Sequence, residues 1–395
     1  MEQVVTNATR RNSSIELLRI ISMLMIVGFH ILRNPLAEAL KAMPICVPEF
    51  ILQNVFLNAG WIGNCIFFTI SAWFLAEREQ TFRSCLRRAW LLEREVLFWS
   101  LTIFAFAIAA GLGDTYIGGV RGLFFDSVLP LSTDLWWYPT SYVIFLLLMP
   151  FLQSGLKSLG KKEHGRLSLL MLMLWGIGGL VYHVQFDITT ASVFVFIYWY
   201  VLITYYKWYM DSFSSKRCWE MIGAGFAIDA LYWVGTNVMS LKGNHPTELQ
   251  LFIFDNWKLP SMLIGFGVFL LCEGRSFHSA IVNLIASTTF GVYLIHYHPV
   301  VFSWWTGALH AQDLFAGNYA IGILKLCVMI LIVFGTCMLC DLCRQLIFRF
   351  TVDRHRGRLF DRVWALRYKF KNHKVLTVSA LLLLLVAYAS FAVSV

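Results

Sequence analysis

Runs of about 20 apolar residues recur from one end of this chain to the other, and that pattern excludes most folds. A helix needs about 20 residues to cross a hydrocarbon layer roughly 30 Å thick. Only 14% of the 395 residues are charged, whereas soluble domains carry about 25%. Such a chain lacks the polar surface to cover a globule. The apolar runs are continuous rather than alternating, which argues against a transmembrane β-barrel. The sequence therefore predicts an all-α, polytopic helical membrane protein.

Eleven spans are predicted, at about 15–32, 51–76, 89–110, 135–152, 167–185, 190–206, 219–239, 257–272, 281–303, 319–343 and 375–395. The basic residues orient them. With the N-terminus in the cytoplasm, 25 of the 32 Lys and Arg fall in inner segments. Five (Arg33, Lys41, Arg121, Lys242 and Lys258) fall in outer loops, and Arg19 and Lys325 lie within spans. This is the positive-inside bias of a cell-membrane protein, so the net charge of +9 gives no reason to invoke nucleic acid. No cleavable signal peptide is evident, because no small-residue cleavage site follows the first apolar run.

Residues 1–343 read as one ten-helix membrane domain. Residues 344–374 interleave Lys and Arg with Phe, Trp, Leu and Val. That composition suits a cytoplasmic amphipathic linker on anionic lipid, or equally a solvated basic loop that enforces topology. Residues 375–395 supply an additional C-terminal helix. Of the nine cysteines only Cys46 is expected outside, which gives no extracellular disulfide framework. Cys337-x-x-Cys340-x-x-Cys343 lacks a fourth nearby thiol, and its steps of three spread the side chains around a helix. Small packing residues are the better reading than an iron–sulfur cluster. No His-Glu-x-x-His or paired-Cys spacing occurs, so no catalytic metal is expected. The sequons at Asn7 and Asn12 fall on the expected cytoplasmic side and carry no inference.

The first span holds its charges in a pattern. Ser13-Ser14-Ile15-Glu16 has the form of a capping box, with Ser13 capping and Glu16 reaching back. Glu16 stands three residues before Arg19, close enough to pair on one helix face. Arg19 and His30 are eleven residues apart, about three turns plus 20°, so they share a face with roughly 16 Å between them along the axis. Arg19 then lies at the inner edge and His30 towards the outer half. Ionisable groups within a span are costly and commonly functional. The structural alternative is a snorkelling Arg19, a capping Glu16 and a satisfied core His30, and the physics alone leaves both open.

Glu-Leu-Leu-Arg19 followed by ten residues and His30 closely resembles the first-helix signature of the acyltransferase 3 family. Three further stretches resemble that family in the expected order. Phe67-Phe-Thr-Ile-Ser-Ala-Trp-Phe-Leu75 is similar to its FFxxSGFxL segment. Leu135-Trp-Trp-Tyr-Pro139, running into Phe145-Leu-Leu-Leu-Met-Pro-Phe-Leu152, is similar to its HLWFL…PLL helix. Thr289-Phe-Gly-Val-Tyr-Leu-Ile-His296 is similar to its FGIYLxH segment. There are departures. Ala72 stands where the family has Gly, Asp134 where it often has His, and Arg83-x-x-x-Arg87-Arg88 replaces an RxxR pair.

The resemblance implies a membrane O-acyltransferase, most simply an O-acetyltransferase of a bacterial cytoplasmic membrane. Its donor would be cytoplasmic acetyl-CoA and its acceptor a hydroxyl of a surface or exported polysaccharide or glycolipid. Arg19, oriented by Glu16, would hold the donor pyrophosphate by charge-assisted bonds. His30 would meet the thioester as a general base, or carry the acyl group covalently. Arg83, Arg87 and Arg88 are either a second grip on phosphate or positive-inside loop charge. Ser71 lines the substrate passage or packs between helices. Trp136, with Trp137 and Tyr138, stacks on sugar or belongs to an interfacial aromatic belt. His296 is a substrate-site residue or a hydrogen-bonded structural histidine, and His298 is read as structural. A carbohydrate or lipid-linked-sugar transporter is the competing class, but it calls for polar residues along many spans and for repeat symmetry. Here the intramembrane charges gather at Arg19, Glu93 to Glu95, Asp229 and Lys325. A polysaccharide polymerase or ligase ranks third, since it calls for a large basic outer loop.

Overall fold

The computed structural model describes residues 11–181, 188, 191–241, 252–355 and 357–369. The sequon at Asn7, the end of the basic linker and the predicted eleventh span lie outside the described residues. Those residues are helical, with no strand among them. In chain order the principal helices are α1 (Ser13–Arg33), α2 (Val47–Ala76), α3 (Phe82–Ala109), α4 (Gly119–Val128) and α5 (Trp137–Leu180). They continue as α6 (Val193–Tyr209), α7 (Ser215–Leu241), α8 (Leu259–Glu273), α9 (Ala280–His296), α10 (Pro299–Ala308), α11 (Tyr319–Phe350) and α12 (Arg358–Lys369).

Three of these, α1, α2 and α11, are long and apolar enough to cross a bilayer as they stand, and α5 holds a stretch that is too. The pattern of exposure agrees. Along α11 the exposed large apolar residues include Ile321, Leu324, Val328, Leu331, Ile332, Leu339, Leu346 and Ile347. An apolar stripe of that kind facing away from the protein is stable against lipid and not against water. The chain is an integral membrane protein.

Within α5 the helix reverses. Gly160 has φ 67° and ψ 176°, a conformation open to glycine and strained for other residues. Before it, Tyr138 and Phe145 pack on Phe196 and Tyr200, and Lys157 sits over Trp208, so residue numbers rise in step with those of α6. After it, His164 lies against Tyr205 and Trp208 while Trp175 meets Tyr198, so the numbers run in opposite senses. The described parts of the two spans predicted at 135–152 and 167–185 therefore run antiparallel and are joined at Gly160.

The first helix is the hub. α1 packs against α2, α8, α9 and α11, and its Ile15, Leu18, Met23, Ile26, Val27, Phe29, Ile31 and Leu32 are buried. Between α9 and α10 the chain bends by 87°. Pro299 opens α10, where its missing N–H costs nothing, and the buried His298 caps that helix by accepting from the Val300 N–H at 3.3 Å. The bend leaves His296 at the end of α9, deep in the bundle.

Candidate active site

The two ends of α1 hold two different kinds of chemistry. At its far end His30 Nδ1 lies 2.9 Å from His296 Nε2. His296 Nδ1 lies 2.7 Å from the Val292 carbonyl oxygen four residues back on α9. A carbonyl can only accept, so His296 carries a proton on Nδ1, and in the neutral ring Nε2 is then an acceptor. His30 must then donate from Nδ1–H, and its own Nε2 keeps a free lone pair. Two hydrogen bonds thus set the tautomer of a buried neutral imidazole.

The pair is held by packing as well. The His30 ring stacks on Tyr297 at 3.7 Å between centroids and 9° between planes. Trp305 Nε1 donates to the His296 carbonyl at 3.0 Å. Both histidines are buried, His30 at 4% exposure and His296 at 0%.

At the opposite end of α1 lies a cavity of about 580 Å³. Arg19, Arg11, Arg94, Arg344 and Arg349 line it, with Glu95 and Asp353 as its acidic residues. Ser71, Phe67, Tyr138, Tyr142 and Thr289 form its inner wall. Arg19 pairs with Glu16 at 3.4 Å. Arg344 is chelated by Asp341, through Nε at 2.7 Å and Nη2 at 3.1 Å, and also meets Glu95 at 3.1 Å. Asp341 takes two more donors, Trp99 Nε1 at 3.1 Å and Gln345 Nε2 at 2.9 Å. Such a cluster suits a phosphate-bearing ligand, because guanidinium forks match phosphate oxygens.

One helix connects the two sites. Thr289 lines the cavity, Tyr293 follows at i+4 and His296 at i+7 on the same face of α9. A chain of aromatic contacts runs along the interval: Tyr142 to Tyr138 at 6.2 Å, Tyr138 to Tyr293 at 6.2 Å, Tyr293 to Tyr297 at 6.0 Å, and Tyr297 to His30.

Glu16, Arg19 and Ser71 thus sit together at the cavity, and His30 with His296 at the other end of α1. The remaining candidates lie elsewhere. Arg83 pairs with Asp361 of α12 at 2.8 Å, Arg87 packs against Gly357, and Arg88 donates to Gln80 Oε1 at 2.6 Å. Trp136 is 1% exposed and packs edge-on to His298 at 5.5 Å, so it is a core residue and not part of an interfacial belt.

The expected capping box does not form. Asn12 caps α1 by accepting from the Ser14 N–H at 3.0 Å. Ser13 is instead recruited by the start of α9, donating to Asn283 Oδ1 and accepting from the Ser279 N–H, both at 2.8 Å. Glu16 is thereby left to Arg19.

Arg344, Asp341, Arg94, Gln345 and Tyr297 are the residues that sequence reasoning passes over. Arg344 follows the predicted end of a span, where it reads as loop charge, yet α11 continues to Phe350. Glu95 is visible as an intramembrane charge, which is a signal for a partner but does not name one. Among the described residues no group of three His, Cys, Asp or Glu is placed to hold a metal ion. Cys337 is buried, whereas Cys340 and Cys343 are exposed.

A family model described as an acyltransferase domain matches residues 12–342. Comparison with the curated proteins and with the solved structures finds no match.

Proposed function

Because the chain belongs to the acyltransferase 3 family, we propose that this membrane acyltransferase is an acyl-CoA-dependent O-acetyltransferase. It moves acetyl from acetyl-CoA to a hydroxyl of a surface or exported polysaccharide or glycolipid in a bacterial cell envelope. One observation carries the reading: an arginine-lined cavity and a base of set tautomer lie at opposite ends of one helix, about as far apart as eleven residues of helix reach, roughly 16 Å.

In this reading the donor phosphates bind among Arg19, Arg11, Arg349 and Arg94, and the pantetheine arm extends along α9 past Thr289 and the tyrosines. The thioester then meets His30. Nε2 of His30 takes the proton of the acceptor hydroxyl while that oxygen attacks the thioester carbonyl. The C–S bond breaks as the tetrahedral centre collapses, and the imidazolium returns the proton to the departing thiolate. His296 holds the Nδ1–H side of the ring throughout, so the lone pair stays on the nitrogen that faces the reaction.

Expression of the wild type in a host deleted for the gene tests the reading. Ester-linked acetyl on purified surface glycan should appear above the empty-vector level, and no difference would remove that glycan as acceptor. A smaller effect concerns Glu16. Its carboxylate is the one described ion-pair partner of Arg19, and Glu16→Ala is expected to weaken acetyl-CoA binding about two- to fivefold, as for a partly exposed pair. Unchanged affinity in a direct binding measurement would sink the positioning role.

A further inference from the structure

The arginines of the cavity are not equally committed. Arg344 is buried and chelated by Asp341, whose carboxylate is itself fully buried, so this pair is fixed structure. Arg94 differs. Its Nη2 lies 2.9 Å from Asp353 Oδ1, and the two side chains keep 18% and 33% exposure. Both line the cavity. A part-exposed pair on a cavity wall can open at small cost.

Asp353 also lies outside the residues that the family model matches, which end at 342. It sits in the single turn Asp353–His355 that follows α11. That turn is tied down from the far side by α12. Phe360 is 4% exposed and packs against Trp90 and Trp364, and Asp361 pairs with Arg83 at 2.8 Å. The segment after α11 therefore delivers one carboxylate to a cavity arginine and a second to another arginine about three turns away on the same helix, α3.

We propose that Asp353 is a built-in competitor of the donor phosphate: its carboxylate holds Arg94 in the place a donor phosphate takes, and it withdraws only when a phosphate arrives. The inference rests on the acyl-CoA reading above. The exchange needs no covalent step, because one anion replaces another on the same guanidinium. A donor without phosphates leaves the pair in place, whereas a phosphate-bearing donor must displace Asp353, so the pair lowers the affinity for phosphate-bearing donors alone.

The test is equilibrium binding to the purified full chain, with acetyl-CoA and with acetyl-pantetheine, which lacks the phosphates. Asp353→Asn should tighten acetyl-CoA roughly two- to fivefold and leave acetyl-pantetheine unchanged. The gain should vanish when Arg94→Gln is added. Phe360→Ala, which removes the buried anchor of α12 without altering a charge, should shift acetyl-CoA in the same direction as Asp353→Asn. Weaker or unchanged acetyl-CoA binding in Asp353→Asn overturns the proposal, as does equal tightening of both donors. Wild-type protein that binds no acetyl-CoA overturns the donor reading and this inference with it, whereas normal wild-type binding with an unresponsive Asp353→Asn overturns this inference alone.

Discussion

Replacing His30 by alanine is expected to lower the turnover of acetyl transfer by about 10²–10⁴-fold, with acetyl-CoA affinity held within about twofold because in the proposed reaction the ring would meet the donor only at its reacting end. The reason lies in the hydrogen-bond chain Val292 O, His296, His30. Each link has one possible direction once the carbonyl is at its end, and the last link leaves Nε2 of His30 unprotonated. His296→Leu should therefore be damaging too, by about 10–100-fold, as for loss of a group that orients a functional imidazole. His296→Gln keeps an acceptor within reach of His30 Nδ1–H and should recover part of that loss. A merely structural His296 would make Leu and Gln equally harmful, through yield or donor affinity and not through kcat. Release of free CoA in a single turnover without acceptor would favour acyl transfer to His30 itself, since the same lone pair is the nucleophile.

The histidine pair also marks how far sequence reasoning reaches. Arg19 and His30 are legible because an intramembrane charge is costly and a helix has a known period. Both facts are local. His296 lies 266 residues from His30, and no periodicity connects them; only the resemblance of Thr289 to His296 raises it as a candidate. The antiparallel pair in α5 is legible as two apolar runs with a basic stretch between them, and Gly160 is where the chain turns. The capping box fails for a tertiary reason. Ser13 is a competent cap by itself, but Ser279 and Asn283 offer it partners, and Asn12 takes the cap. Arg344 is illegible for a different reason. Beyond an apolar run an arginine reads as topology-setting charge, and nothing local says that its helix goes on into a nest of Asp341 and Glu95. Arg83, Arg87 and Arg88 show the converse: a cluster that suggests phosphate by composition faces Asp361, Gly357 and Gln80.

Glycine at 291 is expected to matter almost as much to stability as the histidines do to turnover. A Cβ built on Gly291 would fall within the Asp341 carboxylate, so Gly291→Ala must push that side chain out of its place. Asp341 is fully buried and gathers Arg344, Trp99 and Gln345. Its displacement would leave the buried Arg344 with Glu95 alone. Breaking a buried ion pair from one side costs about 3–5 kcal/mol, which corresponds to a fall in apparent Tm of roughly 4–6 °C for a chain of this size. Asp341→Ala should cost a similar amount by the same route. The decisive measurement is the double variant in detergent-solubilised protein. With Asp341 already truncated, the alanine at 291 enters space that the carboxylate has vacated, so the double variant should melt close to Asp341→Ala and far above the sum of the two losses. Additive losses would mean that Gly291 and Asp341 act on separate parts of the bundle, and the close approach of α9 to α11 would then not be what requires glycine at that position.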